Sequence, residues 1–305
     1  MERYKDFIDD LKEFVENPRI RFNEPMKNHT SFKIGGCADI LVLPQNSEQV
    51  LSIIKLCRAR NIPYFIMGNG SNLLVRDKGM RAVVIKTFNC LKHLEVSADY
   101  IECESGVLLS KLANAAWEHG LTGLEFAAGI PGTLGGAVVM NAGAYGGEIK
   151  DVIIETRYID EDGICRTAKG EQHQFGYRTS MFQGTNKFVL SAKFQLDCGN
   201  KDEIKEKMGY LNQCRKDKQP LELPSAGSVF RRPEGYFAGK LIQDSGLRGY
   251  RIGGAEVSQK HCGFIVNSEN ATAQDVLDLI KHIQQTVKEK FGVELQTEIK
   301  AVGEE

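Results

Sequence analysis

The sequence predicts an α+β protein, on three observations. Short runs rich in β-branched and aromatic residues, several facing one another across tight turns, read as strands. Between them lie amphipathic stretches at helical spacing. A third feature organises the rest: EFAAGIPGTLGGAVVMNAGAYGGE, residues 125–148, has no charge between its end glutamates and holds seven glycines. A run of that length could span a bilayer. Pro131, Asn141 and the glycines oppose this, because the backbone groups they free would go unpaired in lipid. Two readings stay open, a set of buried turns or a cradle whose amides approach a bound anion.

A smaller loop, GNGSN (68–72), sits between apolar runs at 62–67 and 73–75. Neither glycine stretch has Rossmann spacing, and no GxxxxGK[ST] occurs. Two such loops suit a ligand with a pyrophosphate and a bulky ring system.

At 305 residues the chain has material for two or three domains. Its 39 basic and 40 acidic residues cancel, so no global field favours nucleic acid or an anionic membrane. MERYKDFIDDLKEF is amphipathic and unlike a signal peptide. The eight cysteines include no CxxC pair. They read as small apolar residues in a reducing cytosol, which makes a cytoplasmic location the expectation.

Taken in order, Phe7, Ile8, Leu11, Phe14 and Val15 predict a first helix over 3–15, stopped by Pro18. FKIGGCADILVLP (32–44) reads as a strand bent at Gly35-Gly36. Ser47 is expected to cap a helix facing inward through Val50, Leu51, Ile54 and Cys57. RAVVIKT (81–87) is a strand, and 94–96 with 101–103 form a hairpin. Ser110 and Gly120 bracket a helix holding Trp117. Residues 152–168 form a hairpin turning at Asp162-Gly163, and FVLSAKFQL (188–196) alternates and closes a sheet. Composition then turns polar, which places a domain boundary near 199 and a helix over 202–216. The last third reads strand, helix, strand, strand, helix, strand. A capping box at Thr272 and Asp275 opens the final helix, whose inner face is Val276, Leu279, Ile280, Ile283, Val287 and Phe291, with Gly292 ending it.

Three segments could carry chemistry. In FGYRTSMF (175–182), Arg178 is either a snorkelling surface residue or a bidentate grip on a carboxylate. In PSAGSVFRRP (224–233), Ser228 is a turn residue unless positioned to give a proton to a carbanion. Arg215, Lys216, Lys218, Arg231 and Arg232 form a basic cluster around it, suited to phosphate or simply solvated. In VELQTEIKAVG (293–303), Glu298 lies in a terminal strand, and Leu295 and Ile299 leave its face undecided. The six histidines have no metal-ligand spacing, so no metal is expected. The residues alone reach an α+β enzyme that binds a phosphorylated ligand.

Together these stretches resemble one family. NHTSFKIGG (28–36), GNGSNLLV (68–75), AGIPGTLGGAVVMNAGAYGGE (128–148), YRTSMF (177–182), AGSVFRRP (226–233), AGKLIQDSGLRG (238–249) and the glutamate of LQTEIK (295–300) stand in its order. The family is the UDP-N-acetylenolpyruvoylglucosamine reductases, flavin enzymes that form UDP-N-acetylmuramate for bacterial peptidoglycan. No long insertion follows FGYRTSMF, which fits the shorter, type II variant.

The resemblance implies a two-subdomain FAD-binding fold of the vanillyl-alcohol-oxidase (PCMH) type over 21–198, split near 90. A helical extension at 1–20 precedes it, and a C-terminal α+β substrate-binding domain at 199–305 follows. Non-covalent FAD would be held by Gly68, Asn69, Gly70, Ser71, Asn72, Gly132, Thr133, Gly135, Gly136, Asn141, Gly143 and Ala144. NADPH would reduce the flavin, which would then give hydride to the methylene carbon of UDP-N-acetylglucosamine enolpyruvate. Ser228 matches the proton donor, and Arg178 and Glu298 match the residues at the substrate carboxylate, where a glutamate kept protonated by burial would donate a hydrogen bond. Tyr177, Arg215 and Lys218 match positions near the flavin or the diphosphate. Two departures touch the substrate contacts. Arg231-Arg232 replaces a lysine–asparagine pair, and Asp244 stands where some members carry glutamine. A monomer acting on a small molecule, with no nucleic acid or membrane partner, is expected.

Two other readings compete. A flavin oxidase of the same fold would turn over with oxygen, and many such oxidases tether flavin through a histidine that GNGSN lacks. A nucleotide-sugar sensor would purify colourless.

Overall fold

The structure is a computed structural model describing residues 2–88 and 90–305, with Met1 and Asn89 outside the described residues. The chain divides into two compact units. The first comprises Met1–Arg21, Leu41–Asn69 and Val83–Arg215; the second comprises Phe22–Ile40, Gly70–Ala82 and Lys216–Glu305. Four of the five boundaries fall inside a strand or helix, so no shift in composition marks them.

The first unit opens on helix Lys5–Lys12, which buries Phe7 and Leu11 against helix Ser47–Ala59. The cap of that second helix is Asn46, one residue earlier than expected, and its side chain accepts from the Gln49 amide. Both residues have capping chemistry, and the extended Asn46 backbone decides between them. Its buried face is Val50, Ile53, Ile54 and Cys57, with Ile53 in the place expected of Leu51. Strand Tyr64–Met67 pairs in parallel with residues 83–86.

The unit's main sheet has the order Cys165–Lys169, Ile153–Ile159, Phe188–Gln195, Tyr100–Glu104, Leu94–Ser97. Phe188–Gln195 therefore lies at its centre and does not close an edge. Both faces of that strand are covered, with seven of its eight residues buried or half-buried, so burial does not follow the expected alternation. The hairpin turns at Gly163, in the left-handed region at φ +81°, as expected. Helices Leu109–Glu118 and Leu134–Met140 cover the core with Leu112, Ala116, Leu134 and Val138.

In the second unit, strands Ser225–Ser228, Phe264–Asn267, Ala255–Val257 and Arg251–Ile252 form an antiparallel sheet in that order. There are thus three strands between the two helices of the last third, one more than expected. Helix Ala273–Phe291 packs its Val276, Leu279, Ile283 and Val287 into a core that also contains Phe32, Ile34 and Leu74. The Thr272–Asp275 capping box and the left-handed Gly292 stand as expected. Phe291 lies in the helix's last turn, beyond Val287, the last of its core residues, and is 40% exposed instead of facing inward as expected. Asp77 accepts from the Ala273 and Gln274 amides at 2.8 and 3.0 Å, placing a carboxylate at the positive end of this helix. Among the described residues no helix is long and apolar enough to cross a membrane.

His173 lies buried in the first unit. One ring nitrogen meets Gly170 O and the other Thr156 Oγ1, both at 2.9 Å, and Phe175 stacks on it. Burial holds its pKa below the ordinary 6.5, against a smaller opposite effect of the Gly170 carbonyl. Below about pH 6.5 the unfolded chain binds a proton that the folded one resists. Stability is therefore expected to fall as pH drops through that range. In denaturant titrations from pH 7 to 5, His173→Phe should lose part of the wild-type slope. An unchanged slope would show that His173 does not contribute to it.

Candidate functional site

The uncharged stretch folds as more than turns. It contains the short 3₁₀ turn Glu125–Ala127, helix Leu134–Met140, and a tight pair of two-residue strands, Gly143–Ala144 and Gly147–Glu148. Glu125 anchors its start. Although buried, its carboxylate accepts from Thr122 Oγ1 and the Gly123 amide and pairs with Lys207 at 3.3 Å. Burial raises its pKa, but these partners together outweigh that and hold it below the ordinary carboxylate range.

Within the first unit the two glycine loops meet. A Cβ on Gly68 would lie 2.1 Å from Thr133 Oγ1, and Asn69 Nδ2 donates to Pro131 O at 2.8 Å. Only a residue without a side chain fits the first position. Gly132 O accepts from the Leu109 amide, and the Gly135 amide donates to Ser105 O. A Cβ on Gly135 would come 2.9 Å from Ser105 Cβ, whereas Gly136 has its nearest neighbour, Thr133 Oγ1, at 3.9 Å and faces open space. Ser105 Oγ is buried here without a hydrogen-bond partner among the described residues, a polar atom that nothing in its local sequence singles out. Its only signal is a Ser-Gly pair closing strand Tyr100–Glu104. Narrow backbone, small side chains and an unsatisfied hydroxyl fit a diphosphate-bearing cofactor.

Asn141, expected among the cofactor contacts, is fully buried in the left-handed conformation and used within the protein. Its Nδ2 donates to Glu148 Oε2 and Gly176 O, and its Oδ1 accepts from the Lys150 amide, all at 3.0 Å. Residues 176–179 form a tight turn with Gly176 and Thr179 paired. Arg178 occupies its third position at φ +55°, a conformation that costs a non-glycine residue roughly 1 kcal/mol. Its guanidinium donates to Gly143 O at 2.7 Å and lies over the Tyr177 ring at 5.1 Å. The planar fork is thus already oriented from one side.

Arg215 has Cδ 3.1 Å from where a Gly129 Cβ would be, and makes no hydrogen bond or ion pair among the described residues. Burial lowers its pKa, opposed in part by Tyr145. A desolvated cation beside a glycine-rich backbone calls for an anion.

The second unit holds Ser228 and Glu298. Ser228 ends strand Ser225–Ser228 beyond a bulge at Gly227, which sits at φ +82° with nothing within 4 Å of a would-be Cβ. No hydrogen bond is made by its hydroxyl among the described residues. Alongside runs the segment bearing Glu298, which lies two residues before strand Lys300–Val302 and not inside it as expected. Glu298 N donates to Val229 O at 2.7 Å, Phe230 bridges Thr297, and Arg231 N donates to Gln296 O. Ser228 and Glu298 are therefore neighbours across adjacent extended segments. Leu295 and Ile299 are buried and Glu298 and Lys300 are half-buried, which settles the face left open by the sequence. Arg231 Nε is buried without a hydrogen-bond partner among the described residues. Lys300 has a pKa depressed by burial and then by Arg231.

The remaining candidates lie further out. Lys218 is exposed at the end of helix Lys201–Lys218, and exposed Asp244 is ion-paired with Lys240. Arg232 stacks on Phe237 at 4.0 Å. Gly70 and Ser71 belong with Asn72 to the second unit, where Gly70 O accepts from the Ser31 amide. Among the described residues no group of three or more His, Cys, Asp or Glu is placed to hold a metal ion.

Comparison with known proteins bears on both units. Residues 38–169 match the FAD binding domain family, and residues 219–302 match the C-terminal domain family of UDP-N-acetylenolpyruvoylglucosamine reductase. The reductase of Caldanaerobacter subterraneus is 54% identical over 297 residues, covering 97% of this chain and 98% of the relative. That of Clostridium tetani is 53% identical over 305 residues, covering 100% and 99%. The crystal structure of the Thermus caldophilus enzyme superposes with a TM-score of 0.78 at 34% identity, covering 92% of this chain and 97% of that one. Alkyldihydroxyacetonephosphate synthase, at 18% identity and a TM-score of 0.51 over 64% of this chain and 42% of its own, shares the fold alone. The architecture is α+β, an FAD-binding fold of the vanillyl-alcohol-oxidase type joined to a reductase C-terminal domain. With relatives more than half identical along its whole length, this chain belongs to the UDP-N-acetylenolpyruvoylglucosamine reductase family.

Proposed function

We propose that this chain reduces UDP-N-acetylglucosamine enolpyruvate to UDP-N-acetylmuramate, an FAD-dependent step in peptidoglycan precursor synthesis, with NADPH as the reductant. The observation that carries the reading is the meeting of the two glycine loops at Gly68 and Thr133, which leaves a narrow backbone cradle. Non-covalent FAD, once bound there, supplies a hydride taken from NADPH. Every other task falls to side chains. Residues 68–72, 132–133, 135–136 and 143–144 contact the cofactor through backbone and small side chains. Arg215, Lys218 and Arg231 meet the diphosphate, and Tyr177 and Asp244 line the remaining substrate contacts.

As hydride reaches the methylene carbon, electron density moves onto the neighbouring carbon and its carboxylate. Arg178 offsets that charge with a planar fork, and Glu298 lies against the same carboxylate. Ser228 Oγ gives its proton to the adjacent carbon, completing addition of hydride and proton across the double bond. Functionally, residues 21–198 form the cofactor part and 199–305 the substrate part, after a helical extension at 1–20. The protein is a cytoplasmic monomer without nucleic-acid or membrane partners.

The purified protein should be yellow, release its flavin on heating, and consume NADPH only when the enolpyruvyl substrate is present. NADPH consumption sustained by oxygen alone would overturn the assignment. Gly68→Ala drives a methyl into Thr133, so its affinity for FAD should drop at least roughly tenfold. Wild-type affinity in titrations of the apoprotein would remove Gly68 from the cradle.

A further inference from the structure

Asn72 closes the GNGSN loop, and the sequence places it among the cofactor contacts. Its own bonds point elsewhere. Asn72 Nδ2 donates to Glu298 O at 3.3 Å, and Asn72 O accepts from Lys300 N at 3.0 Å. From there strand Lys300–Val302 runs parallel to Leu73–Val75, with Lys300 opposite Leu73. On its other side Glu298 is tied through its amide to Val229 O at 2.7 Å, one residue past Ser228. The backbone of the glutamate is therefore gripped on both sides, its N–H by the neighbour of the proton-donating serine and its C=O by a carboxamide from the loop. Ser31 reinforces the frame, since its amide donates to Gly70 O and its hydroxyl to Ser225 O at 2.7 Å. Loop, serine strand and glutamate segment are one hydrogen-bonded piece of the second unit.

We propose that Asn72 is a positioning residue for Glu298. Its carboxamide fixes the peptide from which the Glu298 carboxyl projects, and so sets where that carboxyl meets the substrate. The inference rests on the role given to Glu298 under the proposed function. A single carboxamide bond is modest, but a displaced catalytic group is costly out of proportion to the bond that held it.

The test uses the holoenzyme and two variants, Asn72→Ala and Asn72→Asp, the second isosteric but without the amide hydrogens. Reoxidation of reduced enzyme by the enolpyruvyl substrate should slow roughly tenfold, and by a clearly larger factor than flavin reduction by NADPH. In a Glu298→Gln background the Asn72 change should cost little further, because its effect passes through that carboxyl. Amide hydrogen exchange of peptides covering residues 295–302 should speed up in both variants, a readout independent of turnover. Equal slowing of both half-reactions, losses that multiply in the double variant, or unchanged exchange would each overturn the proposal. Failure of the wild-type enzyme to reduce the enolpyruvyl substrate would sink the functional reading, while the exchange measurement would still decide whether Asn72 clamps the segment.

Discussion

Ser228→Ala is expected to leave flavin reduction by NADPH intact while slowing reduction of the enolpyruvyl substrate by roughly 100-fold or more, the scale of general acid catalysis. The structure makes this a clean substitution. Ser228 is half-buried at the end of its strand, and its hydroxyl makes no hydrogen bond among the described residues, so removing it leaves no orphaned partner there. Gly227 carries the strained part of the turn, and the strand pairing of Ser228 with Phe264 uses backbone only. Rapid-mixing measurement of the two half-reactions separates the outcomes. If both slow by the same factor, Ser228 is not the proton donor.

Arg178→Lys is expected to lower kcat/KM for the enolpyruvyl substrate by about 10- to 100-fold, with little change in melting temperature. Lysine and arginine suffer alike at φ +55°, so the backbone cost cancels in the comparison. Lysine can still reach the Gly143 carbonyl that Arg178 Nη2 now bonds at 2.7 Å. What it cannot do is hold that carbonyl and present a second, parallel N–H to a carboxylate. Normal turnover by the lysine variant would exclude a bidentate grip, and a large drop in melting temperature would mark the residue as structural.

Features written in local chemistry were legible in the sequence. Thr272 with Asp275, the Asp162-Gly163 turn and Gly292 each depend on a few adjacent residues, and the structure has them where expected. The misreadings have equally local causes. Asn46 and Ser47 both cap helices, and only the backbone conformation chooses between them. Strand Phe188–Gln195 alternates in sequence like a closing strand with one wet face, yet lies at the sheet's centre because its small polar positions, such as Ser191, are buried as well. The glycine stretch reads as a ligand cradle or turns, but helix Leu134–Met140 inside it stays hidden, since Gly135 and Gly136 weaken any helical pattern.

The site divides the same way. Ser228, Arg178 and Glu298 are proposed through family motifs alone, because a serine in a turn or a glutamate near a strand end has nothing local to distinguish it. Ser105, Lys300 and Asn72 carry no such mark, as the surroundings of each come from residues far away along the chain. Asn72 and Glu298 are separated by 226 positions.

That separation has a consequence at the ribosome. Phe32, Ile34 and Leu74 emerge early but belong to a core whose other walls lie beyond residue 225. At about 5–20 residues per second, synthesis needs roughly 11–45 s to travel the 226 positions from Asn72 to Glu298. During that interval these apolar side chains have no native cover, and they are where a nascent chain of this protein should recruit a chaperone. Pulse-labelled crosslinking of stalled chains would find that contact before residue 300 is made and lose it afterwards.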